Sequence, residues 1–224
     1  MSVAVVTPVF GGYDLVRPAP AQTVDVDWVA VTDDPGLEVP APWRRRVTDA
    51  LHPRNPRMDA VRVRTSPTEW APDARWVVSI DANMRIDSPS FAADMVAAAP
   101  SGLGAFAHPR RDCLYAEAEM SAVEAPRKWG PVDLAAQADA YRHEGHPERW
   151  GLWAGGVIVA DTTDDTVLAV LADWYRECLA HRSAQSQVSF PVACRRHGIR
   201  PDTIPTGRRL GSPWLTIQTH IGRT

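Results

Sequence analysis

Apolar positions along the chain fall into two spacings, and the first is a set of short, nearly unbroken runs. Residues 2–9 form a β-branched stretch that holds Pro8 and stops at the Gly11-Gly12 pair, and residues 26–31 form a second run that ends at Thr32-Asp33-Asp34-Pro35. Runs of this length bounded by turn residues predict buried strands. Residues 75–80 (RWVVSI) predict another, 104–107 a short one, and 151–160 (GLWAGGVIVA) a long one. The second spacing is helical. Leu168, Leu171, Trp174, Tyr175 and Cys178 recur at steps of three and four, which predicts a helix over 166–180. Helices are also expected over 90–98, 112–125, 132–144 with Pro131 at its start, and 188–197, with a short one inside 55–67. Residues 38–56 hold four prolines and little periodicity, so they read as loop with room for one short strand. The tail from Arg200 is rich in Pro, Gly and Thr and reads as loop.

Strands interleaved with helices predict an α/β fold around a mixed, mostly parallel sheet with helices on both sides. No repeat or linker divides the 224 residues, so a single domain over 1–224 is expected. A net charge of -3 removes any global attraction to nucleic acid or to an anionic membrane, though not a local basic groove. Cys113, Cys178 and Cys194 are far apart and form no CxxC, which argues for small thiols in a reducing compartment rather than a zinc site. The first strand begins almost at Met1, with no basic region, cleavage site or membrane-length apolar run, so a cytoplasmic protein without an integral membrane segment is expected.

The predicted strand 75–80 runs directly into Asp81-Ala82-Asn83. Open α/β sheets place ligands at the carboxyl ends of their strands. In a turn, an i, i+2 pair of hard oxygens can face one cation, and Asp81 with Asn83 would suit Mg2+ or Mn2+. The same three residues would also serve as an ordinary turn cap. Gly155 and Gly156 lie inside an apolar run, where glycine weakens a strand unless it marks a bulge or a close approach of ligand to backbone. Arg57, Arg62 and Arg64 form a positive cluster upstream, and guanidinium forks match phosphate oxygens, although a solvated helix face would look the same.

VAVVTPVFGGYD at 3–14, VTDD at 31–34, NPRMDAVRVR at 55–64 and WVVSIDANMRI at 76–86 follow in an order that resembles the first half of a GT-A glycosyltransferase. AFAHPRRDCLYAEA at 105–118, Gln137 to Tyr141, GLWAGGVIVAD at 151–161, and Trp174 to SQVSF at 186–190 continue it. The chain is similar over most of its length to the poorly characterised glycosyltransferase-like family that includes plant mucilage-related glycosyltransferases.

That resemblance implies a GT-A fold and transfer of a sugar from a nucleotide-sugar, a UDP-sugar by preference, to an acceptor hydroxyl with help from Mn2+ or Mg2+. It puts Asp81 and Asn83 at the D-x-D position, with asparagine removing one charge from a metal contact. His220 would complete the metal site and Arg223 would meet the diphosphate. Thr7, Pro8, Val9, Phe10, Asp33 and Asp34 would surround base and ribose, and Arg57 and Arg62 the diphosphate, Arg62 being favoured by the family's pattern. Gly155 and Gly156 would shape the sugar pocket, with Trp150 and Trp153 beside them as stacking surfaces or core. His108 would line the acceptor side, and Glu117 and Asp112 are candidate general bases. Gln187 would bond sugar hydroxyls, while Ser186 stands where the family carries an acid.

The acceptor stays open among a glycan, a small molecule, a protein and a base in DNA, and nothing in the sequence speaks to oligomeric state. Two alternatives accompany the transferase. A nucleotidyltransferase would share the strand-end carboxylate and metal, but Gly11-Gly12 is slight for its phosphate loop. A catalytically silent binding protein of the same fold is the other, which Asn83 and Ser186 favour.

Overall fold

The structure is a computed structural model that describes residues 1–128, 132–204 and 212–220. Seven strands make the central sheet: β1 (Val3–Val9), β2 (Val26–Thr32), β3 (Arg44–Val47), β4 (Trp76–Ile80), β6 (Leu103–Ala107), β7 (Trp153–Asp161) and β8 (Asp202–Ile204). Their order is β3-β2-β1-β4-β7-β6-β8. Pairs on the β3 side of β4 are all parallel, β7 runs antiparallel to both β4 and β6, and β6–β8 is parallel again. The sheet is therefore mixed and largely parallel. A second, two-stranded sheet pairs β5 (Met84–Ile86) with β9 (Leu215–Ile217), which ties the last described segment to the chain just after β4.

The strands form because both faces of the sheet are covered, which rewards β-branched runs over alternation. Val3, Val5 and Val9 of β1 point to one face, where Phe91 and Met95 of α3 (Phe91–Ala97) close the core with Val78 and Ile80. Ala4 and Val6 point to the other face and meet Val63 of α1 (Pro56–Thr65) and Trp70 of α2 (Pro67–Trp70). On that face α6 (Asp165–Ala180) and α7 (Phe190–Arg196) cover β6 and β7 through Val167, Leu171, Trp174, Phe190 and Cys194. α6 is the helix that the three-and-four spacing predicted, and it begins where the Asp164 carboxylate accepts the backbone N–H groups of Thr166 and Val167. α4 (Leu114–Lys128) and α5 (Leu134–His143) form a smaller cluster with Val188 and Val192. Pro131, expected at the start of α5, lies outside the described residues.

The short-strand allowance in residues 38–56 is taken up by β3. β8 and β9 arise in the tail read as loop, and each has three residues. Trp150 and Trp153 take the core alternative: Trp153 is buried and packs edge-on against both Trp150 and Phe190. Cys178 and Cys194 are buried free thiols and Cys113 is half-buried. Among the described residues no helix is long and apolar enough to cross a membrane.

His146 gives the fold a pH dependence. Its ring is buried beside Tyr115 and Trp150, its Nδ1 has no partner among the described residues, and burial, reinforced by Arg195, pulls its pKa down to about 4. In the unfolded chain it would protonate near pH 6.5. The contribution is therefore whole above about pH 6.5 and is lost as pH falls toward 4, where the unfolded state binds the extra proton. The expected result is a falling Tm across that window, with a shallower fall in His146→Leu, followed by thermal melts at stepped pH.

Candidate active site

The carboxyl ends of β1 and β4 and the beginning of β7 open onto one cleft of about 800 Å3. Its floor is built from Asp81, the first residue after β4, and from Gly155 and Gly156. The diglycine is a bulge: β6 pairing jumps from Ala105 opposite Ile158 to Phe106 opposite Ala154, leaving residues 155–157 unmatched on that side. A side chain at position 156 would sit 3.2 Å from Asp81 Oδ2 and 2.3 Å from Met84 Cε, so glycine lets the strand pass close to the carboxylate. The backbone fixes that approach, with Asp81 N–H donating to Gly156 O at 2.9 Å.

One wall comes from Pro8, Val9, Phe10 and Gly11 after β1 and from α1, which begins with Pro56 at its first position and presents Arg57, Ala60, Val61 and Arg64 to the cleft. Gly11 has a φ of 65°, and a Cβ there would lie 2.6 Å from Pro56 Cγ, so the turn and the helix start require its bare backbone. Asp33 holds this turn by accepting the Gly11 N–H at 3.1 and 3.2 Å. Arg64, 7% exposed along its side chain, donates to Asp81 Oδ1. Tyr13 lies between Arg57 and His220: its hydroxyl accepts from Arg57 at 3.1 Å, and His220 tilts against its ring at 4.7 Å while the His220 Nδ1 meets Asp14 Oδ2 at 2.7 Å. The opposite wall is residues 184–187, including Ser186 and Gln187.

Asp81, Pro8, Val9, Phe10, Arg57, Gly155, Gly156, Gln187 and His220 are thus brought together. Thr7 lies buried beneath the cleft with its hydroxyl unpartnered among the described residues, and Asp33 acts one residue behind the wall. Asp34 closes a turn instead, accepting the Gly36 N–H at 2.7 Å. Arg62 stands away from the cleft, where it pairs with Glu69 at 2.6 Å and stacks over Trp70. Arg223 lies outside the described residues. Asn83 is buried: its Nδ2 donates to Gln218 O at 3.1 Å, its backbone carbonyl accepts the Gln218 N–H at 2.8 Å, and its Oδ1 has no partner among the described residues. It holds the segment that carries His220.

Asp112 is exposed and outside the cleft lining. His108 and Glu117 lie behind the second wall rather than in it. The Glu117 carboxylate accepts from Arg111 Nε, from Ser121 Oγ at 3.0 Å and from Gln185 Nε2 at 2.8 Å. With its lone pairs engaged it is poorly placed to take a substrate proton and instead holds Gln185, a cleft residue. His108 adds Nε2 at 3.4 Å from the same carboxylate, and burial lowers its pKa against the pull of Glu117. Glu117→Gln would turn an amide N–H toward these donors, with an expected cost of about 2 kcal/mol. Urea unfolding would read that cost, and weaker ligand binding should accompany it.

The sequence did not single out Tyr13, Asp14, Arg54, Arg182 or Gln185 for this cleft, and it favoured Arg62 over Arg64. The signal that separates the two arginines was present. Arg57 and Arg64 are seven apart, nearly two helical turns, so they share a face with Ala60 and Val61, whereas Arg62 points elsewhere.

Asp81 Oδ2 has no hydrogen-bond partner among the described residues, and with Asn83 Oδ1 it leaves two hard oxygens unengaged next to the strand end. That chemistry fits Mg2+ or Mn2+, which commonly take one or two protein oxygens and draw the rest from phosphates and water. Among the described residues no three His, Cys, Asp or Glu side chains gather to hold an ion by themselves. No known family model matches this chain, and no curated protein matches it.

Proposed function

We propose that the chain is a GT-A type glycosyltransferase that uses a nucleotide-sugar donor, with a UDP-sugar the first to try. The observation that carries this reading is the strand-end carboxylate Asp81, lying against a diglycine bulge and joined to the buried Arg64 on the floor of an open cleft. The turn after β1 would receive the nucleotide, as strand ends of such sheets do. Arg57 would face the diphosphate and Arg64 would hold Asp81 oriented toward it. Gln187 offers both a donor and an acceptor to sugar hydroxyls. The small space above Gly155 and Gly156 would admit the sugar ring. As the acceptor hydroxyl attacks the anomeric carbon, the bond to the diphosphate breaks and negative charge grows on the leaving oxygen, where fixed cations are most effective. A divalent cation at Asp81, completed by diphosphate oxygens, would supply further neutralisation.

The buried position of Asn83 favours a second reading, a protein that binds the donor without transferring it. Calorimetric titration with UDP and with UDP-sugars, with and without Mn2+, tests the site. Selective, Mn2+-strengthened binding is expected, and absence of binding by any nucleotide would sink the transferase. Binding without donor hydrolysis or transfer to any acceptor would favour the silent protein.

A further inference from the structure

Four arginines, Arg54, Arg57, Arg64 and Arg182, line the cleft against two carboxylates, Asp14 and Asp81, in a chain whose net charge is -3. Arg57 and Arg64 have the partners described above. Arg54 and Arg182 are exposed and, among the described residues, their side chains make no hydrogen bond or ion pair.

Neither is loosely mounted. The loop bearing Arg54 is pinned where the Leu51 and His52 N–H groups donate to the fully buried Asp59 carboxylate at 2.9 and 3.0 Å. His52 Nε2 also meets the Tyr175 hydroxyl of α6 at 2.9 Å. Seven residues beyond Tyr175, and just past the cap residue His181, the same α6 is closed by Arg182. There the Ser183 N–H donates to Cys178 O at 2.9 Å and the Arg182 N–H to Leu179 O at 3.1 Å, the paired bonds of a Schellman ending. Glycine is the usual residue at that position. Here an arginine adopts a φ of 49°, which side chains other than Asn, Asp and Gly seldom do. One helix thus connects the mounts of both unpaired guanidinium groups at a cleft whose other two arginines are engaged.

We propose that Arg54 and Arg182 form a second anion seat in the cleft, which binds a phosphate monoester on the acceptor. The inference rests on the transferase reading for the word acceptor, while the seat itself does not. It narrows the acceptor from any hydroxyl compound to one that carries its own phosphate, a sugar phosphate or a phosphorylated lipid headgroup.

Arg182→Gly separates the seat from the fold, because glycine relieves the left-handed backbone while removing the guanidinium. The full chain, saturated with UDP and Mn2+, would be titrated with glucose 6-phosphate, glucose and inorganic phosphate. A parallel arm would use phosphatidylcholine vesicles with and without phosphatidic acid. Glucose 6-phosphate or the phosphatidic acid vesicles should bind where glucose and plain vesicles do not, and the binding arm names the source of the phosphate. Arg182→Gly and Arg54→Gln should each weaken that binding about tenfold, as expected for a lost charged hydrogen bond. UDP affinity should stay within about twofold and the melting temperature should not fall. Binding of none of these anions, or equal binding by the variants, would overturn the seat. A tenfold loss of UDP affinity in both variants would also overturn it by giving the pair to the donor diphosphate. If UDP fails to bind the wild type while phosphate binding persists and is lost in Arg182→Gly, the seat stands and the transferase falls.

Discussion

In Asp81→Asn, sugar transfer should fall by about 10^2–10^3-fold, the effect of removing one electrostatic contact made to the reacting charge. The substitution keeps the shape of the side chain and an oxygen that can still accept from Arg64, so the buried guanidinium is not stranded. It removes the charge that would hold a cation. The Mn2+-dependent part of UDP binding should therefore disappear, while binding without metal weakens far less. Asp81→Ala should do the same and in addition destabilise the fold, because Arg64 would be left buried without its carboxylate. Titrations with and without Mn2+, beside a thermal melt of each variant, separate the two effects. Wild-type metal dependence in Asp81→Asn would remove Asp81 from the cation site.

Trp174→Ala should carry the largest cost in stability. The indole is fully buried, packs against Phe190 with ring centroids 4.5 Å apart, and donates its N–H to the backbone oxygen of Ser186 at 2.7 Å. Truncating a buried tryptophan costs about 3–5 kcal/mol, and the Ser186 carbonyl would lose its donor as well. At about 2–4 °C per kcal/mol for a domain of this size, Tm should drop by roughly 10 °C. Trp174→Phe is the informative partner: it retains most of the packing while losing the indole hydrogen bond and some buried volume. Because Ser186 and Gln187 form one wall of the cleft, Trp174→Phe should weaken UDP-sugar binding out of proportion to its small change in Tm. Equal losses in both measurements would mean that the indole supports the fold alone.

The elements that could be read from sequence are those whose burial leaves a periodic trace. β1, β2, β4 and β7 are covered on both faces and so appear as continuous apolar runs, and α6 shows its core face at helical spacing. β3 reads RRRV because it is the sheet's edge and largely exposed, which leaves no apolar signal. β8 and β9 are too short to carry a period, and their pairing with β6 and β5 spans long stretches of chain. The site divides in the same way. Asp81 and the diglycine stand out because a charged residue after a core strand, and glycines within one, break a local rule. Glu117 looked like a base because the sequence shows a carboxylate but not the three donors that occupy it. Asn83 stood out because spacing of two suits a turn, but the partner that takes its Nδ2, Gln218, is 135 residues distant and leaves no local trace. Arg182 was hidden because a left-handed arginine at a helix end has no signature in one dimension.

The reversed direction of β7 has a consequence for how tolerance to change is laid out along the strands. β1 and β4 deliver their last residues to the cleft, while β7, pairing Ile80 with Val157 and Trp76 with Asp161, delivers its first. Its far end is a structural anchor, where Asp161 holds Arg75 at 2.9 Å. A saturation scan scored separately for ligand capture and for soluble yield would show opposed gradients. Capture would become more sensitive from start to finish along β1 and β4, and from finish to start along β7. Those gradients meet at one end of the central strands, which evolution or engineering could rewrite while the opposite strand ends keep the scaffold.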